Sequence, residues 1–185
     1  TFAKHALTGL GLAALPPAMA RAAVPAAPLP ALPPLLAAKP YARLLDRARA
    51  ALDRHGNAVQ LRDRVAIADF SQASREHRFH IVDLIGGQAS SYLVAHGRGS
   101  DPEHSGWLQS FSNEPASLAT SDGAYRTGEI YWGKHGTAMR LIGLDPHNNN
   151  AESRAIVIHA ADYVSENHIA AWGKVGRSEG CFVVA

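Results

Sequence analysis

From Gly56 onward the chain is a series of short apolar runs, each closed by Gly, Asn or Asp. Val65 and Ile67 alternate with polar neighbours, with Asp69 in phase, as in a half-buried strand. Residues 79–85 and 91–95 flank Gly86-Gly87, which predicts a hairpin. Residues 130–132, 139–142 and 155–159 continue the pattern. Regular short strands with Gly-rich turns predict a mainly β body, a barrel or a sandwich. Weak helical signals interrupt it at 115–118, 150–153 and 162–166. No internal repeat is present, and the glycines never fall into the loops that cradle nucleotides.

The front of the chain differs in kind. Residues 1–20 read as a signal peptide incomplete at its start: Lys4 and His5 form a weak positive end, and residues 6–15 an apolar stretch too short to span a bilayer. Ala18-Met19-Ala20 matches a cleavage site. The plain alternative is an Ala/Pro-rich leader. Residues 21–39 are dominated by alanine and proline, which predicts an extended linker. Residues 40–56 carry one amphipathic helix, with Leu44, Leu45, Ala48 and Leu52 on one stripe, Pro40 at its first turn and Gly56 at its stop. Residues 57–185 form the main domain. The chain is therefore expected to be exported, with no membrane span once the signal is removed.

Charge narrows the function classes. The formal net charge is +2, and no Lys/Arg run is interleaved with aromatics, so nucleic acid is not an expected partner. The chain holds one cysteine, Cys181, so an intramolecular disulfide is impossible. A lone thiol in the cytosol is most often inert and buried, whereas in an exported protein it is a candidate reactive group.

That thiol lies in Gly176-Arg177-Ser178-Glu179-Gly180-Cys181-Phe182-Val183-Val184, between a glycine-rich turn and an apolar strand. Glycine lets substrate approach the backbone, and turn amides can face a developing oxyanion. His159 ends the run Ile156-Val157-Ile158 and is placed to take the thiol proton. The plain alternatives are a structural thiol and a satisfied core histidine. His96 either lines a pocket or caps a turn through Gly97. His77, His80, His104, His135, His147 and His168 show no metal-ligand spacing, so no metal is expected. Asn148-Asn149-Asn150 reads as a turn using positive φ, and Trp107, Trp132 and Trp172 read as core residues, one or two of which could instead stack on sugar or peptide.

The ordered set His159 and Gly176-Arg177-Ser178-x-Gly180-Cys181 resembles the active-site signature of the murein L,D-transpeptidase catalytic domain family. The likeness extends upstream through Val94-Ala95-His96-Gly97-x-Gly99-Ser100, Phe111-Ser112-Asn113, Tyr131-x-Gly133-Lys134-His135-Gly136 and residues 148–154, and covers roughly residue 79 to the end. It implies an L,D-transpeptidase-like β-barrel or sandwich acting on peptidoglycan stem peptides, periplasmic or cell-wall associated, with no cofactor.

By that resemblance, Cys181 attacks the carbonyl of the third residue of a donor tetrapeptide and expels the terminal D-alanine. His159 is base and then acid, held by the carbonyl of Ala160, while the amides of Gly180 and Cys181 form the oxyanion hole. Ser178, Arg177, His96 and Tyr131 belong to the substrate-binding set. The thioester then passes to an amine or to water, so transpeptidase and L,D-carboxypeptidase both stand, as does a non-catalytic wall-binding module; oligomeric state is open. Three departures from the family pattern stand out. Glu179 replaces a frequent histidine, Phe182 replaces a usual proline, and the family continues past Ala185, which predicts a truncated C-terminus.

Overall fold

The computed structural model describes residues 41–185. The expected signal peptide (1–20), linker (21–39) and Pro40 lie outside the described residues. Helix α1, Ala42–Arg54, forms where the apolar stripe predicts it. Leu45 and Leu52 are buried, with Leu44 and Ala48 packed beside them, against Ile67, Val82 and Leu84. Its C-terminus is anchored by His55, whose Nε2 lies 3.1 Å from Asp145 Oδ1.

Two sheets follow. Strands β1 (Arg64–Ala68), β2 (Phe79–Asp83) and β3 (Ala89–Tyr92) form an antiparallel sheet in the order β1-β2-β3. The β2–β3 hairpin turns at Gly86-Gly87, as the sequence predicts. Asp83 starts the turn, its Oδ1 accepting from the amides of Ile85 and Gly86 at 2.8 Å each.

After Leu93 the chain passes into a second sheet, made of β4 (Val94–Ala95), β5 (Tyr125–Gly133), β6 (Gly136–Gly143), β7 (Val157–Ala160) and β8 (Phe182–Val184). Its order is β4-β8-β7-β6-β5, and β7 with β8 is its parallel pair. Short as it is, β8 pairs on both sides, with β4 and with β7.

Adjacent residues of a strand face opposite ways, and the second sheet is covered on both faces. Val94 and Phe182 join Phe79, Leu141, Ala151 and Ile156 on one side. Ala95 and Val183 join Leu93, Val164 and Val175 on the other, beside helix α2 (Glu166–Trp172). Phe182 explains its departure from the family pattern: it is buried, with its ring centroid 5.7 Å from Phe70 and 5.5 Å from Tyr125. Among the described residues the fold is mainly β with two short α-helices, as expected.

Several local expectations fail for identifiable reasons. Residues 115–118 form no helix, because Ala116 and Leu118 sit at φ 60° and 57°. Residues 150–153 are turns. The signal at 162–166 belongs to the lead-in of α2: Ser165 caps the helix by accepting from the His168 amide, and Gly173 stops it at φ 72°. Asn148 serves its turn through hydrogen bonds, donating to Ala124 O at 2.8 Å and accepting from the Asp145 amide at 2.9 Å; positive φ is not involved. Trp107, Trp132 and Trp172 are exposed rather than core.

Candidate active site

The turn before Cys181 is built around two small residues. Gly180 adopts φ 119°, and a Cβ there would meet Ala119 O and Ile156 Cδ1 at 2.8 Å. Ser178 is buried, and its hydroxyl donates to Cys181 O at 2.7 Å while accepting from the Gly180 amide at 3.1 Å. Its backbone is held from outside: the Ser178 amide donates to His96 O and the Arg98 amide to Ser178 O. The segment 96–98 is thus a brace for the turn. Gly97 and Gly99 let the loop at 117–119 press against that brace, since a side chain at either would strike its backbone.

Arg154 locks this loop in place. Its guanidinium donates to Ser112 O at 2.8 Å, Ser121 Oγ at 2.6 Å, Ser117 Oγ at 3.2 Å and Ala119 O at 2.5 Å. Sequence reasoning placed Arg154 in a matching motif without giving it a role. Its partners lie more than thirty residues upstream, and a guanidinium with several donors following the Asn148–Asn150 turn was the available signal.

The sulfur is partly buried. Its proton points to Ala155 O at 3.7 Å, and Ala155 presents that carbonyl from φ 53°. Burial chiefly pushes the Cys181 thiol pKa up; the Glu179 carboxylate adds to this, while the Val157 amide and Arg154 oppose it.

His159 is on β7. The parallel register pairs Ile158 with Phe182 and His159 with Val183, so Cys181 projects from the same sheet face as His159, one diagonal step away. With strands about 4.8 Å apart and two residues rising about 6.6 Å, the two Cα atoms lie about 8 Å apart. Cys181 and His159 make no hydrogen bond with each other among the described contacts. His159 is 5% exposed, and its Nδ1 donates to Ala160 O at 2.9 Å, which fixes the tautomer that leaves Nε2 as acceptor. Burial holds its pKa below the usual imidazole value. His135, at the tip of the β5–β6 hairpin, stacks on the ring with centroids 4.5 Å apart.

The remaining expected substrate-binding residues scatter. Tyr131 shares the row Tyr131–Ala138–His159 across three strands, with small Ala138 between the two rings. Its ring lies beneath the Arg140 guanidinium at 4.7 Å. Arg177 donates to the carbonyls of Asp101 and Pro102 and so braces the loop after the 96–100 segment. His96 is 1% exposed, with Nδ1 2.8 Å from the Arg78 guanidinium and Nε2 3.3 Å from Asp101 Oδ2. Both its nitrogens are engaged inside the protein.

Among the described residues no helix is long and apolar enough to cross a membrane. No curated protein and no solved structure matches the chain. The family model for the L,D-transpeptidase catalytic domain matches residues 38–185. That span takes in α1, both sheets, the braced turn and His159, and so the chain belongs to the L,D-transpeptidase catalytic domain family, whose activity is directed at peptidoglycan outside the cytoplasm.

Proposed function

We propose that Cys181 is the nucleophile and His159 the general base of a cysteine acyltransferase acting on peptidoglycan stem peptides. The observation that carries this reading is the parallel β7–β8 register, which puts both residues on one face while Ala160 O holds the His159 ring. His159 Nε2 takes the thiol proton. The thiolate then forms a C–S bond at the donor's third carbonyl as the C–N bond to the terminal D-alanine breaks. His159 returns its proton to the departing amine.

The Gly180 amide is occupied by Ser178 Oγ, so the oxyanion falls to the Cys181 amide once substrate is seated. An acceptor amine attacking the thioester yields a cross-link and restores the thiol. The depressed pKa of His159 keeps its imidazole neutral, as a base requires, and the raised pKa of Cys181 makes proton transfer to it a real part of the barrier. Ser178 and Arg177 shape the turn rather than touch substrate.

Intact-protein mass spectrometry after incubation with a carbapenem tests the reading. An adduct on wild type that disappears in Cys181→Ala and slows sharply in His159→Gln is expected. An adduct that persists in Cys181→Ala, or its absence from folded wild type, would overturn it. Muropeptide analysis then separates cross-linked dimers from trimmed tripeptides.

A further inference from the structure

Strands β5 and β6 run on beyond the end of β7. The ladder between β6 and β7 goes from Arg140–Val157 to Ala138–His159, and β6 begins two residues before that last pair, at Gly136. Gly133 pairs with Gly136 across the two-residue tip Lys134-His135, and Gly136 takes φ 80°, a conformation suited to glycine. The tip overhangs the end of β7, and His135 lays its ring on that of His159, with centroids 4.5 Å apart and planes 17° from parallel. His135 is itself exposed, whereas the ring it covers is buried. Among the described residues His135 makes no hydrogen bond or ion pair, so the stack is the contact that gives its side chain a place.

We propose that His135 is a positioning residue for the base, its imidazole clamping one flat face of His159 so that the ring stays in the orientation proton transfer requires. This rests on the reading of His159 as the general base. The Ala160 carbonyl grips that ring at a single atom, Nδ1, and a ring held at one point can still tilt about the bond. Its ladder neighbour on β6 is Ala138, too small to wedge it. A second flat ring at stacking distance removes this freedom, and near-parallel aromatic rings at such a spacing attract one another. Rate falls steeply when a catalytic group is misplaced, so restraint of a tilt has a kinetic effect. The same cover keeps water off the ring. Burial is the largest cause of the lowered His159 pKa, the Ala160 carbonyl opposes it, and His135 adds to the lowering as a like charge when protonated. The other titratable group on that face is Cys181.

Two substitutions test the clamp: His135→Ala, which removes it, and His135→Phe, which keeps a flat ring. The first readout is the titration of the His159 ring by NMR in Cys181→Ala protein, where the nucleophile plays no part. His135→Ala should move that titration to higher pH, because the ring is uncovered and a like charge is gone. His135→Phe should leave it closer to wild type. The second readout is carbapenem acylation with Cys181 intact. His135→Ala should slow the maximal rate about tenfold, with the half-saturating concentration within about twofold and the acid limb of the pH profile moved upward, since His159 must be neutral to act. His135→Phe should restore the rate to within about threefold. Wild-type acylation and an unmoved His159 titration in His135→Ala overturn the proposal, as does a Phe variant no faster than the Ala variant. Absence of acylation from the folded wild type would instead sink the Cys181 reading, and the NMR titration would still decide whether the stack holds the ring.

Discussion

His96 and His159 are both buried to 5% exposure or less, yet they occupy opposite kinds of site. His96 lies in a closed chain, Arg78–His96–Asp101, with each ring nitrogen engaged and Arg78 further tied to Val94 O and Gln72 O. His159 has one nitrogen anchored to its neighbour's carbonyl and the other without a hydrogen bond among the described residues, on the face it shares with Cys181. Burial depresses both pKa values, to about 4 for His96. The neutral imidazole of His96 serves only as a strut. That of His159 can accept a proton because its Nε2 has no hydrogen-bond partner among the described residues. What distinguishes a candidate base from a structural histidine here is an unfilled hydrogen-bond position, with depth the same.

The sharpest break of this comparison is a pair of substitutions. His159→Gln should lower acylation of Cys181 by about a thousandfold, the usual scale for a positioned base, with thermal unfolding close to wild type. His96→Gln should do the reverse, costing about 3 kcal/mol by disturbing a buried charged network while acylation of the folded fraction stays within about tenfold. Chemical denaturation and stopped-flow acylation on both variants decide it. A large acylation loss in a stable His96→Gln would make the two histidines alike.

Acid provides the second test. His96 binds a proton more readily in the unfolded chain, near its ordinary value of 6.5, than in the fold, near 4. Stability conferred by the neutral ring is therefore complete above pH 6.5 and is lost as pH falls toward 4, by about 3 kcal/mol in total. His80 and His159 shift the same way. Urea midpoints across this window should fall steeply in wild type and less steeply in His96→Gln.

Ser178→Ala removes both contacts of the turn and should cost about 1–3 kcal/mol, with acylation about a hundredfold slower through misplacement of the sulfur. Unfolding midpoints and acylation rates together would reveal it; an unchanged acylation rate would mean the turn holds without its hydroxyl. The smallest effect is expected at Glu179→Gln, which should lower the thiol pKa, since the carboxylate acts to raise it. The pH profile of iodoacetamide alkylation should move to lower pH, and a shift upward would reverse the sign assigned to Glu179.

Much of this was legible because its causes are local. The apolar runs, the Gly86-Gly87 turn, the stripe of α1 and the position of Cys181 after a glycine depend on near neighbours in sequence. The failures are long-range. Arg154 reaches Ser112 and Ala119 across a loop whose path no periodicity encodes. The role of His96 is set by Arg78 and Asp101, which fill its two nitrogens from 18 and 5 residues away. The tryptophans read as core residues, or one or two as stacking platforms, and the structure leaves all three exposed, Trp132 on edge strand β5. The Gly180 amide is a similar case: its engagement by Ser178 needs the turn's geometry, not its composition.

Strand β8 completes the second sheet from the middle. It arrives after every other strand in chain order, yet it separates β4 from β7. Among the described strands β8 is the ladder partner of β4, and its pairing with β7 sets Cys181 on the face that His159 shares. Both of its ladders join residues far apart in sequence, so the position of Cys181 is set by non-local contacts. The turn that carries Cys181 therefore hangs from the middle of the sheet, between β4 and β7, where two ladders hold it at once.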